Sequence, residues 1–208
     1  VTFGAANILE WIGSIASAAL RAAWCQKWLI HRRLRPEEFG GRVYQRIANS
    51  KSYPIHAELL NSAAIDRILT HTGNALLPIA YPEGSPTHPS YPAGHAAVAG
   101  ACVTALKAFF DESAIVEGPV IVSDNGDQLH PYTGAPLTVG DELNKLASNM
   151  SIARNAAGVH YRSDGTQGLL LGENVAIEML RDIATTYSEN FPGFTFRRFD
   201  GTQLTIPA

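Results

Sequence analysis

The sequence has little cysteine. Cys25 and Cys102 are the only two in 208 residues, so a disulfide scaffold is excluded and the compartment is left open. It has no run of about 18 uninterrupted apolar residues, so no segment suggests a membrane span. Mean hydropathy is −0.02. It has no excess of positive charge: 16 basic residues stand against 19 acidic ones, a net charge of −3. That excludes a dedicated nucleic-acid binder, though not a local cationic pocket. Charged residues are scarce at 17% while hydrophobic ones reach 46%, which excludes disorder as the main state. There is no internal repeat and no low-complexity tract. The chain begins at Val1 without an initiator methionine. It also lacks a basic stretch followed by a cleavage site, so the expectation is a processed chain or a fragment rather than a signal peptide.

What is present is helical periodicity. The mass of 22.4 kDa is enough chain to bury a core. From Ala5 to Ile30, Ile8, Trp11, Ile12, Ile15, Ala19, Ala22 and Ala23 recur at helical spacing, which predicts one or two helices. Pro36 ends any helix at Arg35 and, with Glu37 and Glu38, suits the first turn of the next. His56 to Leu69 reads as one amphipathic helix. Residues 74–94 hold five prolines and read as an ordered loop or linker. His95 to Phe110 is small and apolar on most faces, which predicts a helix buried on several sides. Residues 116–136 suggest a short hairpin around Asp124-Asn125-Gly126. Val139–Ala157 and Gly168–Tyr187 read as two more helices. The tail, Phe191 to Ala208, is aromatic and threonine-rich without a clear period. The expected fold is mainly α-helical, a helical bundle with a minor β hairpin, over a single unit spanning residues 1–208.

Three clusters carry chemistry. The first, Lys27 to Glu37, places five potential cations in the nine residues 27–35. Alone it reads as a solvated basic helix end. Lys27 and Arg35 are eight apart and share a face only if the helix persists. The second runs from Ser85 to His95. A proline-rich loop ends at Gly94 where a helix begins, so unpartnered backbone N–H groups and the positive end of the dipole make an anion site. Gly94 lets an anion approach the backbone, and His95 in the first turn reaches the same anion. His88 is evenly balanced between a site residue and an ordinary loop histidine. The third cluster is Arg154 to Asp164. Arg154 closes a helix, Gly158 suits a left-handed C′ position, and His160 lies in the turn with Asp164 four residues on. A carboxylate there fixes the tautomer of an imidazole. A plain helix–turn–helix connection competes with that reading. Together the clusters offer cations, a backbone donor and two histidines, an inventory suited to a tetrahedral oxyanion.

Lys27…Arg35-Pro36, Tyr91-Pro92-Ala93-Gly94-His95 and Ala153-Arg154 followed by His160 and Asp164 resemble the signature of the vanadium-dependent haloperoxidases, which share an anion pocket with acid phosphatases and type 2 phosphatidic acid phosphatases. The details are most similar to algal and bacterial bromoperoxidases. The Lys-to-Arg interval is eight rather than the seven usual in the phosphatases, and His88 precedes His95 by seven, where those bromoperoxidases carry a second active-site histidine. The resemblance implies a vanadate cofactor, for which phosphate competes. Its substrates are hydrogen peroxide and bromide or iodide, with an organic halogen acceptor. It implies that His160 binds vanadium, that Lys27, Arg35, Arg154 and the Gly94 N–H neutralise vanadate oxygens, and that His95 is the acid/base. His88 shapes the halide side, and Asp164 orients His160 or pairs with a neighbouring arginine. The chain departs from the family's Ser-Gly-His at Ala93, where loss of a hydroxyl donor costs roughly 1.5–3 kcal/mol of anion binding. Trp24, one turn before Lys27, either lines the pocket mouth or sits in the core, and the core is the simpler expectation. Family chains are much longer, so this one matches their C-terminal portion. It is expected to form a homo-oligomer or to need the missing N-terminal part, in an extracellular or cell-wall setting by analogy. A phosphomonoesterase working through a phosphohistidine at His160 is the alternative activity. A non-catalytic domain, crippled at Ala93 or by the missing half and serving oligomerisation, is the third.

Overall fold

The computed structural model describes residues 3–207; Val1, Thr2 and Ala208, the ends of the expected 1–208 unit, lie outside the described residues. α1 (Ala5–Cys25) buries Ile8, Trp11, Ile15, Ala19 and Ala23 along one stripe, the spacing a helical face requires. It continues without a break into a π-helix (Gln26–His31), which ends at Arg32 in the left-handed region, φ 46°. α2 (Pro36–Ala48) opens with Pro36 in its first turn, and Glu38 Oε2 accepts the Arg35 N–H at 2.9 Å.

The single helix expected over 56–69 is two, α3 (Ala57–Leu60) and α4 (Ala63–Thr72). Ser62 divides them. It takes an extended backbone, ψ 149°, and its hydroxyl caps the Ile65 N–H, a role serine prefers to a helix interior. Residues 74–93 form no helix or strand and are tied down through backbone bonds such as Ala80 N–H to Ala157 O and Ala93 N–H to Asp164 O.

α5 (Gly94–Phe109) is the central element, buried on several faces as its composition predicts. α1, α6 (Val139–Ala156) and α7 (Arg162–Ala184) pack around it. α7 begins at Arg162, six residues before the expected start at Gly168, and ends at Ala184 rather than Tyr187. Gly165, Gly168 and Gly172 weaken its intrinsic helix propensity, but Gly168 and Gly172 admit α5 at close range and Gly165 admits Ser151 of α6. A Cβ at Gly172 would collide with the Ala97 carbonyl oxygen, and one at Gly100 with that of Leu169. Tertiary packing therefore overrides propensity here.

The expected hairpin is present as β1 (Val120–Val122) paired antiparallel with β2 (Leu129–Pro131), turning through Gly126 at φ 79°. A second hairpin, β3 (Phe194–Arg197) with β4 (Gln203–Ile206), arises in the tail that showed no clear period. Its alternation is short: Phe194 and Phe196 are buried while Thr195 and Arg197 are exposed. These phenylalanines join Trp11, Ile15, Ile177 and Leu180 in the main core. The fold is mainly α-helical with two small hairpins, and no helix among the described residues is long and apolar enough to cross a membrane.

Candidate active site

The ends of four helical elements and one proline-rich loop converge on a cavity of about 410 Å³. Lys27, Arg35, His88, Gly94, His95, Arg154 and His160 all line it. Asp164 stands behind His160, and Ala93 is buried at the N-cap of α5.

Lys27 enters from the π-helix and is fully buried. Its Nζ donates to the carbonyls of Pro89 (2.5 Å) and Ser90 (3.1 Å). Burial, and then the Arg35 cation, lower its pKa to about 7, against a smaller opposing pull from Asp164. The helix bearing Lys27 does not persist to Arg35. Instead, Arg32 turns the chain and Arg35 reaches the cavity as the N-cap residue of α2. Its Nε donates to the His88 carbonyl at 2.8 Å and its Nη1 to the Val159 carbonyl at 2.9 Å. Nη2 lies 3.1 Å from His88 Nδ1 and Nη1 lies 2.9 Å from His160 Nε2. Burial and the nearby Arg154 lower even this guanidinium, to about 10.

α6 ends in a turn that aims His160. Gly158 is left-handed, φ 78°. Its N–H donates to Asn155 O and the following Val159 N–H donates to Arg154 O, the paired closure of a Schellman motif. A Cβ at Gly158 would meet the Pro78 carbonyl oxygen at 2.8 Å, so glycine is needed on two grounds. His160 Nδ1 then lies 3.0 Å from Asp164 Oδ2. A guanidinium has donors only, so the contact with Arg35 makes Nε2 an acceptor. The ring proton is therefore on Nδ1 and is donated to Asp164, leaving the Nε2 lone pair on the cavity side.

Arg154 donates through Nη1 to the Tyr81 hydroxyl at 3.1 Å, and its guanidinium lies 5.6 Å from that ring. Its Nε is buried with no hydrogen-bond partner among the described residues. At the start of α5, no side chain caps the helix because Ala93 occupies the N-cap. His95 follows in the first turn. Burial and the cations Arg154, Arg35 and Lys27 hold its imidazole below the ordinary value. His88 is pushed down to about 4, by burial first and then by Lys27 and Arg35. Burial also lowers His160, against the pull of its bond to Asp164. All three histidines are thus neutral near pH 7, beside the cations Arg35 and Arg154 and a Lys27 that is half protonated there.

Trp24 is not in the core. It is 41% exposed, lines the cavity, and its ring lies 5.1 Å from that of His88. The sequence reading did not single out Tyr81 or Arg33. Arg33 donates to Asp164 Oδ1 at 2.9 Å, which makes it the neighbouring arginine; among the cations of residues 27–35 nothing in the sequence distinguished it. No signal pointed to Tyr81.

The donor set suits an oxyanion. Among the described residues no group of three or more His, Cys, Asp or Glu side chains is placed to hold a metal cation. One imidazole lone pair, an orphaned guanidinium N–H, the buried Lys27 amine and an uncapped helix start together suit a tetrahedral oxyanion.

A family model, the VCPO second helical-bundle domain, matches residues 61–189. The chain belongs to this family. The matched segment of the VCPO-type domain includes His88, His95, Arg154, His160 and Asp164. The chain is 44% identical over 227 aligned positions to the vanadium-dependent bromoperoxidase of Corallina pilulifera, covering 99% of this chain and 38% of that protein. It is 40% identical over 218 positions to that of Ascophyllum nodosum, covering 99% of this chain and 39% of the relative. A homohexameric structure of the second vanadate-dependent bromoperoxidase from Ascophyllum nodosum superposes with a TM-score of 0.84 at 32% identity, over 98% of this chain and 40% of that one. The chain thus spans about two fifths of the length of the relatives it matches.

Proposed function

We propose that this cavity holds vanadate and that the protein is a bromoperoxidase, oxidising bromide or iodide with hydrogen peroxide to hypohalous acid equivalents that halogenate an organic acceptor. The observation that carries the reading is His160 Nε2 set 2.9 Å from Arg35 in a cavity that buried Lys27 and Arg35 share with half-buried Arg154. Residues 1–208 act as one helical catalytic unit.

His160 is the single protein ligand, oriented by Asp164. Arg35 Nη1, which bonds Nε2 in this structure, turns to the anion instead, together with the free Nε of Arg154, Lys27 and the Gly94 N–H. When bound, vanadate supplies an electrophilic centre that activates peroxide toward halide. His95 takes the proton that hydrogen peroxide gives up. The burial and cations that keep it neutral make it available as a base. His88 and Trp24, whose rings lie 5.1 Å apart at a tilt of 33°, form the halide side. Phosphate, alike in shape and charge, competes for the same donors. The homohexameric neighbour and the exposed Trp28, Leu29 and Ile30 support a homo-oligomer.

The phosphomonoesterase reading uses the same cavity, with His160 as the nucleophile and His95 as the acid that releases the alcohol. A paired assay tests the proposal. Protein freed of phosphate and reconstituted with orthovanadate is given peroxide, bromide and a phenolic acceptor, and the vanadate-free protein is given a chromogenic phosphate monoester. Vanadate-dependent bromination suppressed by phosphate is expected. Ester hydrolysis without bromination overturns the proposal, as does activity in neither arm.

A further inference from the structure

The His160 imidazole is held on its far side by Asp164, and Asp164 is held by a residue outside the cavity. The Asp164 side chain is fully buried. Its Oδ2 accepts from His160 Nδ1–H and from the Tyr161 N–H, each at 3.0 Å. Those two bonds fix one oxygen and leave the carboxylate free to swing about it. The second oxygen, Oδ1, accepts from Arg33 Nη1 at 2.9 Å. With both oxygens fixed, the plane of the carboxylate is set, and with it the direction in which His160 points.

Arg33 is itself braced. The same Nη1 donates to Ser163 Oγ at 2.7 Å. The guanidinium lies 4.8 Å from the Tyr161 ring and 5.5 Å from the Tyr91 ring, within cation–π range. Its backbone carbonyl accepts the Ser90 N–H at 3.0 Å. One residue therefore links the segment between Lys27 and Arg35, the loop leading to Gly94 and the start of α7. It lines a different cavity, with His31 and Gln167, and its side chain is 43% exposed. It does not line the cavity that His95 faces.

We propose that Arg33 is a positioning residue that acts through Asp164 to keep the His160 ring aligned, Nδ1–H on the carboxylate and Nε2 toward the anion. The inference rests on the reading of His160 as the ligand only for its consequence. The alignment itself is measurable without vanadate.

The test is the His160 Nδ1–H proton, observed by NMR in ¹⁵N-histidine-labelled protein free of vanadate, at about pH 8, where neutral imidazole is the expected form. A ring N–H held by a buried carboxylate gives a slowly exchanging downfield signal, and Asp164→Asn supplies the reference for its loss. In Arg33→Met the signal is expected to be lost to exchange, and in Arg33→Lys it is expected to return. Orthovanadate dissociation, measured by equilibrium dialysis, weakens about 10–100-fold in Arg33→Met, the range for a partner that orients a ligand, and recovers in Arg33→Lys. An unchanged Nδ1–H signal in Arg33→Met overturns the proposal, whatever its affinity. So does loss of the signal in both Arg33→Met and Arg33→Lys, because a general disturbance of the fold would not be rescued by charge.

Discussion

Arg35 Nη1 lies 2.9 Å from Nε2 of His160, so a cation and the lone pair of an imidazole satisfy each other until an anion takes the place of that bond. The pair holds the ring tautomer while donating nothing from the histidine to the cavity. An incoming oxyanion satisfies both partners at once, as an acceptor for the arginine and as the metal centre for the ring.

His160→Ala is therefore expected to abolish vanadate retention after gel filtration, read as vanadium content per chain. Normal content in the variant would show that the cations alone hold the anion.

Lys27 makes anion binding pH-dependent. Its pKa, about 7, is below the ordinary 10.5. Between those values the unfolded chain holds the larger number of protons, so this group makes the anion-free protein more stable as pH rises through the window. A bound dianion favours the charged ammonium and raises its pKa again. Sulfate does not titrate here, and its affinity is expected to fall by up to about tenfold per pH unit above about pH 7. In Lys27→Met, binding is weaker and the slope is gone. Isothermal calorimetry at a series of pH values measures both.

Ala93→Ser places a hydroxyl at the N-cap of α5, where no side chain caps the helix. The hydroxyl oxygen can accept a first-turn N–H while its proton is donated to an anion. The expected gain is about 1 kcal/mol of stability by denaturant unfolding and roughly 1.5–3 kcal/mol of vanadate affinity by dialysis. Unchanged affinity would mean that the donor is not needed.

Two glycines should respond oppositely to alanine. At Gly172 an added Cβ meets the backbone of Ala97 and Ala101. Gly172→Ala is expected to cost about 3 kcal/mol, to part α5 from α7 and to lower vanadate affinity. At Gly41, within α2, nothing lies within 4 Å, and Gly41→Ala is expected to stabilise by about 0.5–1 kcal/mol. Urea titrations of both variants check the pair.

Much of the fold was legible because it is local. The apolar stripe of α1, the small residues of α5 and the prolines of residues 74–93 each point to one state. What escaped depends on distant partners. The α7 start is masked by Gly165 and Gly168, whose value appears only against Ser151 and Ala93. β3 and β4 are four residues each, too short for a period to stand out. The candidate site residues carry chemistry in their side-chain type, and their convergence shows in the structure. Arg33 and Tyr81 act on other site residues, so residue type alone did not mark them; Trp24 was open between pocket mouth and core, and the shape of the cavity decides for the mouth.

The π-helix gives the chain length between Lys27 and Arg35 a chemical meaning of its own. Its Arg32 N–H reaches back five residues to the Lys27 carbonyl, at 2.9 Å, and so takes up one residue more than an α-turn would. Each residue turns an α-helix by about 100°. Removing one codon between positions 28 and 31 would keep every side chain of the pocket in the sequence, yet rotate Lys27 away from Arg35. In this site an insertion or deletion is as consequential as a substitution.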